Sequence, residues 1–442
     1  MTKNTKKQAA CGPLFYQNWL AFEKTPSANI TPSTPVQPIV TANTCPPMRP
    51  VIPEQVEVPL FTDINELTGE ITSGLGPYKL LNAFSQGERA DVPRIILRAS
   101  RHFSPPISRV LPGEIKTSAD FYHGGSEYDE IAALVSLAGG IRIMAGSCSR
   151  LFFTNGDPVG MPWYMNAGNN PRPFQRAGRP VIPRYPTSFC LNDCKQRLAT
   201  LPRLTAKAVS ELLVAARCYQ KALWHSEADS QFAWLLFVSA IESAANFWRT
   251  KNDLKTALQE AMPDLYNLLK EKDADDADWI NKIASHLKGL TGAVKKFADF
   301  LIKFWPETPQ WAKTESPKIF EFSWAPRSDQ HRDDWEKDTV AALKKVYNWR
   351  SRTLHGGTAF PPPMLRPPIM LGEKYEEKPI VFDMVTGDSS WRGADLPMLL
   401  HVFEHLVRGA LLKWWDSMVP ATASQAAPNS IPARRESPIF TA

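Results

Sequence analysis

The chain lacks any apolar run of the roughly 18 residues that a membrane-spanning helix needs, so no contact with a bilayer is expected. Its lysine-bearing start, MTKNTKKQAACGPLFYQNW, has no apolar stretch ahead of a small-residue cleavage point, and no secretory signal is expected. Cysteine is scarce. The six present (Cys11, Cys45, Cys148, Cys190, Cys194, Cys218) are scattered, which fits a reducing cytoplasm better than a disulfide scaffold. Only Cys190 and Cys194 lie close together, and no second Cys or His pair follows in sequence, so neither a metal nor another cofactor is expected. A phosphate loop is missing too, because GGSEYDE (124–130) has no lysine at the required spacing. Excess charge of one sign is small: +6 is compatible with RNA binding without arguing for it.

What is present is ordinary globular material, 43% hydrophobic and 22% charged, over 442 residues with room for two or three domains. Residues 1–60 are rich in Pro, Thr and Ser and predict a largely extended or disordered segment, with an aromatic patch from Phe15 to Phe22 that can dock on the folded body. Residues 61–203 read as a small α+β domain. PRIILRAS (93–100) has a β-like core, and IRIMAGSCSRLFF (141–153) alternates like a strand pair. Between them, SEYDEIAALVSLAGG (126–140) is a helix with Ile131, Leu134, Val135 and Ala138 on one stripe, Ser126 at its start and Gly139-Gly140 at its stop.

From Leu204 the pattern turns helical, and residues 204–416 predict an all-α bundle, for a chain that is α+β overall. Thr205 caps the first helix; DSQFAWLLFVSAIESAANFWR (229–249) is apolar almost all round, as a central helix must be. Charged residues from Leu254 to Lys270 form a further helical stretch, and GLTGAVKKFADFLIKFWPET an amphipathic helix ended by Pro306. Another helix spans 334–357 and stops at Gly356-Gly357. A proline-rich insertion with a possible hairpin covers 361–392. The last helix is expected to begin with Asp395 as its cap and Pro397 in its first turn. Residues 417–442 read as a disordered tail.

The helix around 335–355 carries the chemistry. Val340, Leu343, Val346, Tyr347 and Leu354 form its apolar stripe, and Arg350 falls on the same stripe. A guanidinium keeps its charge, so an inward position demands an acidic partner, a phosphate or a route to solvent. Ser351 and His355 share a face at i, i+4, whereas Arg350 and His355 stand about 140° apart on a regular helix. A long side chain, or unwinding near the glycines, would have to bring them together.

The run VYNWRSRTLHGG resembles the Tyr-x-x-Arg-Ser-x-x-x-His-Gly run of the Apea-like branch of the HEPN superfamily. FAWLLFVSAIESAANFW resembles that branch's central helix, with Glu242 as its single glutamate, and AVKKFADFLIKFWPE and FEHLVRGALLKW resemble its later helices. The resemblance covers less than half of the chain and gives residues 61–203 no role. It implies metal-independent RNA cleavage to a 2′,3′-cyclic phosphate and a 5′-hydroxyl, in a homodimer whose two sites meet in one cleft. His355 would be the general acid or base, suited because imidazole exchanges protons near neutrality. Arg350 would hold the scissile phosphate, Ser351 would orient the histidine or touch the phosphate, and Glu242 and Tyr347 would support them. Kinship further implies a defence or growth-arrest effector whose first domain senses an unknown trigger.

Plainer readings stay open beside these. The alternative function is a non-catalytic HEPN module binding RNA, a nucleotide or a protein partner. Arg350 can be a core arginine bridged to Glu242, and His355 a residue satisfying the carbonyls of a helix end. Asp129 and Glu130 with Arg142 and Arg150 form a tempting polar set, but carboxylates in a first turn are favoured by the helix dipole alone. His102 and His123 show no spacing that marks a site. Trp224, Trp234, Trp248, Trp305, Trp311 and Trp335 are read as core or interface.

Overall fold

A computed structural model of the chain describes residues 12–25, 54–82, 95–102, 125–147, 149–153, 158–162, 170–174, 176–248, 258–259, 262–272, 283, 292–312, 321–326, 329–380, 384–386 and 389–420. The fold is mixed α+β, with a small sheet region and several helices. Most of the Pro-rich stretch, His123, Cys148 and the tail beyond residue 420 lie outside the described residues.

Helix α1 (Leu14–Lys24) is built from the aromatic patch, and Phe15, Tyr16, Asn18 and Trp19 are buried. Strands follow: β1 (Gln55–Thr62), β2 (Glu66–Thr68), β3 (Tyr78–Asn82) and β4 (Ile95–Ser100). Helix α2 (Glu127–Gly139) then leads to β5 (Ile143–Ala145), β6 (Arg150–Phe152), β7 (Met161–Pro162) and β8 (Ser188–Cys190). The main sheet runs β3-β4-β1-β6-β7, with β5 also on β1, while β2 and β8 form a separate parallel pair. The stretch 141–153 is thus two strands, but each pairs with β1 and not with the other. Pro59 explains the arrangement. It sits centrally in β1, and its missing N–H falls at the interruption between β5 and β6, where Gly146 N–H donates to its carbonyl over 2.8 Å.

Ser126 and Asp129 cap α2 reciprocally: each side chain takes the other's backbone N–H. Gly140 ends the helix at φ 67°, in the left-handed region, where a side chain would also strike the Arg408 guanidinium. The helix is buried along nearly its whole length, and α1 is pinned to it because Phe15 N–H donates to Glu130 Oε2 at 3.0 Å. Tyr16 also donates to the Leu204 carbonyl at 2.6 Å, and Asn18 to the Ser100 carbonyl at 2.9 Å.

The helical half comprises α3 (Asn192–Leu198), α4 (Ala206–His225), α5 (Ser230–Trp248), α6 (Pro263–Lys272), α7 (Ala293–Lys303), α8 (Arg332–Gly356), α9 (Pro362–Leu365) and α10 (Leu400–Met418). Thr205 caps α4 through a bond from Ala208 N–H. α5 packs on α4, α7, α8 and α10, which places its apolar surface at the centre. Trp234 stacks between Phe360 and Phe403, and Trp224 and Trp234 are buried while Trp248, Trp305, Trp311 and Trp335 are half-buried.

Two expectations are corrected. The last helix does not start at Asp395, which ends a short 3-10 turn (Gly393–Asp395); Pro397 disfavours helical backbone at Leu396, and regular helix begins at Leu400. The boundary expected at residue 60 falls inside β1, which starts at Gln55, and the aromatic patch is a helix, α1, packed on the folded body. In the insertion, α9 is followed by the hairpins β9 (Met370–Leu371)–β10 (Lys374–Tyr375) and β11 (Met384–Thr386)–β12 (Ser389–Trp391). Buried carboxylates anchor it: Glu376 pairs with Arg366, and Glu377 accepts from Phe322 N–H and the Trp324 indole.

One continuous apolar core runs from Phe15 through the sheet and α2 to Trp415, across the change of pattern at residue 204. Among the polar links across that seam is Arg142, 5% exposed. It pairs with Asp63 at 2.8 Å and Glu227 at 3.1 Å, donates to the Leu223 carbonyl and Ser226 hydroxyl, and lies 4.1 Å above the Tyr185 ring. Burial opposes its charge, but Asp63, Tyr185 and Glu227 more than offset it, so the guanidinium is held charged. No helix among the described residues is long and apolar enough to cross a membrane.

Two stability predictions follow from these burials. Arg142→Ala leaves Asp63 and Glu227 without their cation and is expected to cost about 3–5 kcal/mol in urea unfolding; a loss under about 1 kcal/mol would contradict the bridging role. Burial raises the Glu130 pKa from its ordinary 4.5 to about 7, against the pull of Phe15 N–H and Arg217. A carboxyl raised in the folded state contributes stability below pH 4.5 that is lost as pH climbs towards 7. Glu130→Gln should therefore match wild type near pH 4 and exceed it by about 1–3 kcal/mol at pH 8. Parallel pH profiles for the two proteins would rule this out.

Candidate functional site

α8 owes its length to strong helix formers over most of its turns and its end to glycine. Gly357 takes φ 66° and its N–H bonds to the Arg352 carbonyl, while Thr353 Oγ1 lies within donating distance of two carbonyls, Trp349 at 2.9 Å and Thr358 at 2.8 Å, for its one proton. The last turn is therefore regular through Gly356, and unwinding does not draw Arg350 and His355 together.

Arg350 faces α5. Its Nη2 donates to Glu242 Oε2 at 2.6 Å, and Tyr347 Oη donates to the other oxygen, Oε1, also at 2.6 Å. Glu242 is the acidic partner that an inward arginine requires, and both side chains are 18% exposed. Burial and then the neighbouring carboxylate push the Tyr347 phenol well up, so it remains a donor. Arg350 Nε is buried with no hydrogen-bond partner among the described residues, and the guanidinium carbon lies 5.8 Å from the Tyr347 ring. One edge of the guanidinium is thus committed to the fold.

Ser351 is half-buried and His355 exposed. Among the described residues no hydrogen bond or ion pair joins either to Arg350. The structure therefore gathers Arg350, Glu242 and Tyr347 and leaves Ser351 and His355 on the outer turn. Leu354 departs from the expected stripe: at 50% exposure it is no part of the core. Arg352 is exposed and lies 5.1 Å over the Trp349 ring.

Of the first-half candidates, Asp129 serves the α2 cap, Glu130 holds α1 and Arg142 spans the seam. His102 donates its backbone N–H to Asn18 Oδ1 at 2.7 Å, and its ring meets Phe22 at 5.0 Å; burial lowers its pKa. Cys194 is buried and its thiol pushed up to about 12 by burial. The sequence reading passes over one polar group, His401, Glu404, His405 and Arg408 on α10. Their i, i+3, i+4, i+7 spacing inside an apolar helix was the available signal.

Comparison of the chain with protein-family models, with curated proteins and with solved structures finds no match. The arrangement itself is that of an arginine anchored at a helix–helix contact, with an exposed histidine on the outer turn of the same helix. Removing Glu242 should leave the half-buried arginine uncompensated, so Glu242→Ala is expected to lower stability by about 1–3 kcal/mol. Unchanged thermal unfolding would show that the pair contributes nothing to the α5–α8 contact.

Proposed function

We propose that the chain is a metal-independent endoribonuclease of HEPN type, acting as a homodimer. The observation that carries this reading is Arg350, held by Glu242 and Tyr347, five residues before an exposed His355 at the same helix end. Arg350 steadies the scissile phosphate and the charge that builds on its oxygens. His355 takes the 2′-hydroxyl proton or protonates the departing 5′-oxygen, leaving a 2′,3′-cyclic phosphate and a 5′-hydroxyl. Since one α8 does not turn both groups to one point, each functional pair is completed by the α8 of a second copy, and exposed Leu354 supplies apolar surface for that contact. The resemblance of VYNWRSRTLHGG to the Apea-like HEPN run supports the assignment, with Ser351 beside the arginine. A cytoplasmic effector of defence or growth arrest, with residues 61–203 sensing the trigger, is the role that fits this kinship.

A second reading is favoured by the tie between Arg350 and Glu242: a non-catalytic module that binds RNA, a nucleotide or a protein partner. One assay separates the two. Purified protein should cut RNA in EDTA, and Arg350→Ala and His355→Ala should each lose about 10²–10⁴ in rate while staying folded. Cleavage that persists in both variants would sink the assigned site, and an inert dimeric wild type that binds RNA would favour the module.

A further inference from the structure

A cleft of about 380 Å³ opens where the end of α2, the loop at 182–186 and the first turns of α10 meet, away from Arg350. Its size lies within the range of roughly 300–1,000 Å³ typical of small-molecule sites. The lining is not the apolar wall that packing alone produces. Two arginines reach it, Arg184 and Arg408, against one carboxylate, Glu404. Burial holds both histidines neutral: His401 is lowered to about 4, and His405 is lowered also. The charged side chains of the lining therefore leave a positive excess.

Arg184 has no ion pair among the described residues. Its guanidinium lies 5.1 Å from the Trp311 ring and 5.6 Å from that of Tyr375, and partial burial lowers its pKa against the opposing pull of Tyr375 and Glu377. Arg408 is fixed by bonds from Nε to the Leu137 carbonyl at 3.1 Å and from Nη2 to the Ala138 carbonyl at 2.7 Å. Glu404 is positioned by Tyr219, whose hydroxyl donates to Oε1 at 2.6 Å. His401 Nε2 donates to the Glu376 carbonyl at 2.8 Å, which leaves Nδ1 of the neutral ring an acceptor. Trp311 adds an aromatic ring to the lining, with the Arg184 guanidinium lying over it. The inventory is cations for an anion, acceptors for N–H groups and a ring face for stacking.

We propose that this cleft binds a nucleotide, with Arg184 and Arg408 towards the phosphate, Trp311 against the base and Glu404 accepting from a base N–H. Base–aromatic stacking tolerates any base, whereas the carboxylate favours those with N–H donors. The site is independent of RNA cleavage at Arg350. A bound nucleotide touches both α2 and α10, so it stabilises the seam between the sheet and the bundle by mass action.

Isothermal titration calorimetry on the full chain tests the assignment, using the four nucleoside 5′-monophosphates, the matching nucleosides and inorganic phosphate. At least one nucleotide should bind, with its nucleoside and phosphate each at least about tenfold weaker. Arg184→Ala and Glu404→Gln should each weaken it by about tenfold or more, while Arg350→Ala leaves it unchanged. Arg184 is exposed, so its variant tests binding without threatening the fold. No heat with any nucleotide at about 1 mM, the weak end of specific affinity, would overturn the proposal. So would binding that survives both cleft variants, binding lost in Arg350→Ala, or phosphate bound as tightly as the nucleotide.

Discussion

A single buried guanidinium, that of Arg142, sets the conditions for the rest of the molecule. Taking it out of water is costly, and the cost is offset only if every donor finds a partner. Those partners come from both halves: Asp63 after β1, and Leu223, Ser226 and Glu227 at the end of α4, with the ring of Tyr185, from the loop before β8, against the guanidinium. The α4 end is fixed against the sheet region as a result, and Glu227 passes the constraint on by accepting from the backbone of Val181 and Ile182. Since α4 leads directly into α5, the position of Glu242 within the bundle descends from this seam.

The same logic operates on a smaller scale throughout. Glu130 is buried to hold α1, Glu376 and Glu377 to hold the insertion, and the partly buried Glu242 holds Arg350. Each carboxylate replaces lost water with backbone N–H groups or a cation, which makes the contact directional where apolar packing is not. These bonds fix the described part of the insertion around Glu376 and Glu377, and Tyr375 on it faces Arg184.

Much of this was legible in the chain. Ser126, Thr205, Gly140 and Gly357 mark helix ends by local chemistry, and α2, α4, α5, α7 and α8 appear where the periodicity puts them. Arg350 announced a need for an acid, and Glu242 was the residue to suspect. The partner of a strand is a different matter: nothing local says that β5 and β6 both join β1. Leu354 continues the apolar stripe of α8 in sequence, yet whether it is covered depends on how far the neighbouring helices extend.

The sequence by itself determined the mixed α+β class, the main helices, their caps and stops, and the polar residues that had to be explained. These depend on interactions within a few residues, which a pattern records directly. Tertiary structure alone decided that Arg142 spans the two halves, that Arg184 from a proline-rich loop meets α10, and that Arg350 turns to Glu242 while His355 faces solvent. Such pairings join groups tens to hundreds of residues apart, and only the three-dimensional packing of their elements brings them within bonding distance.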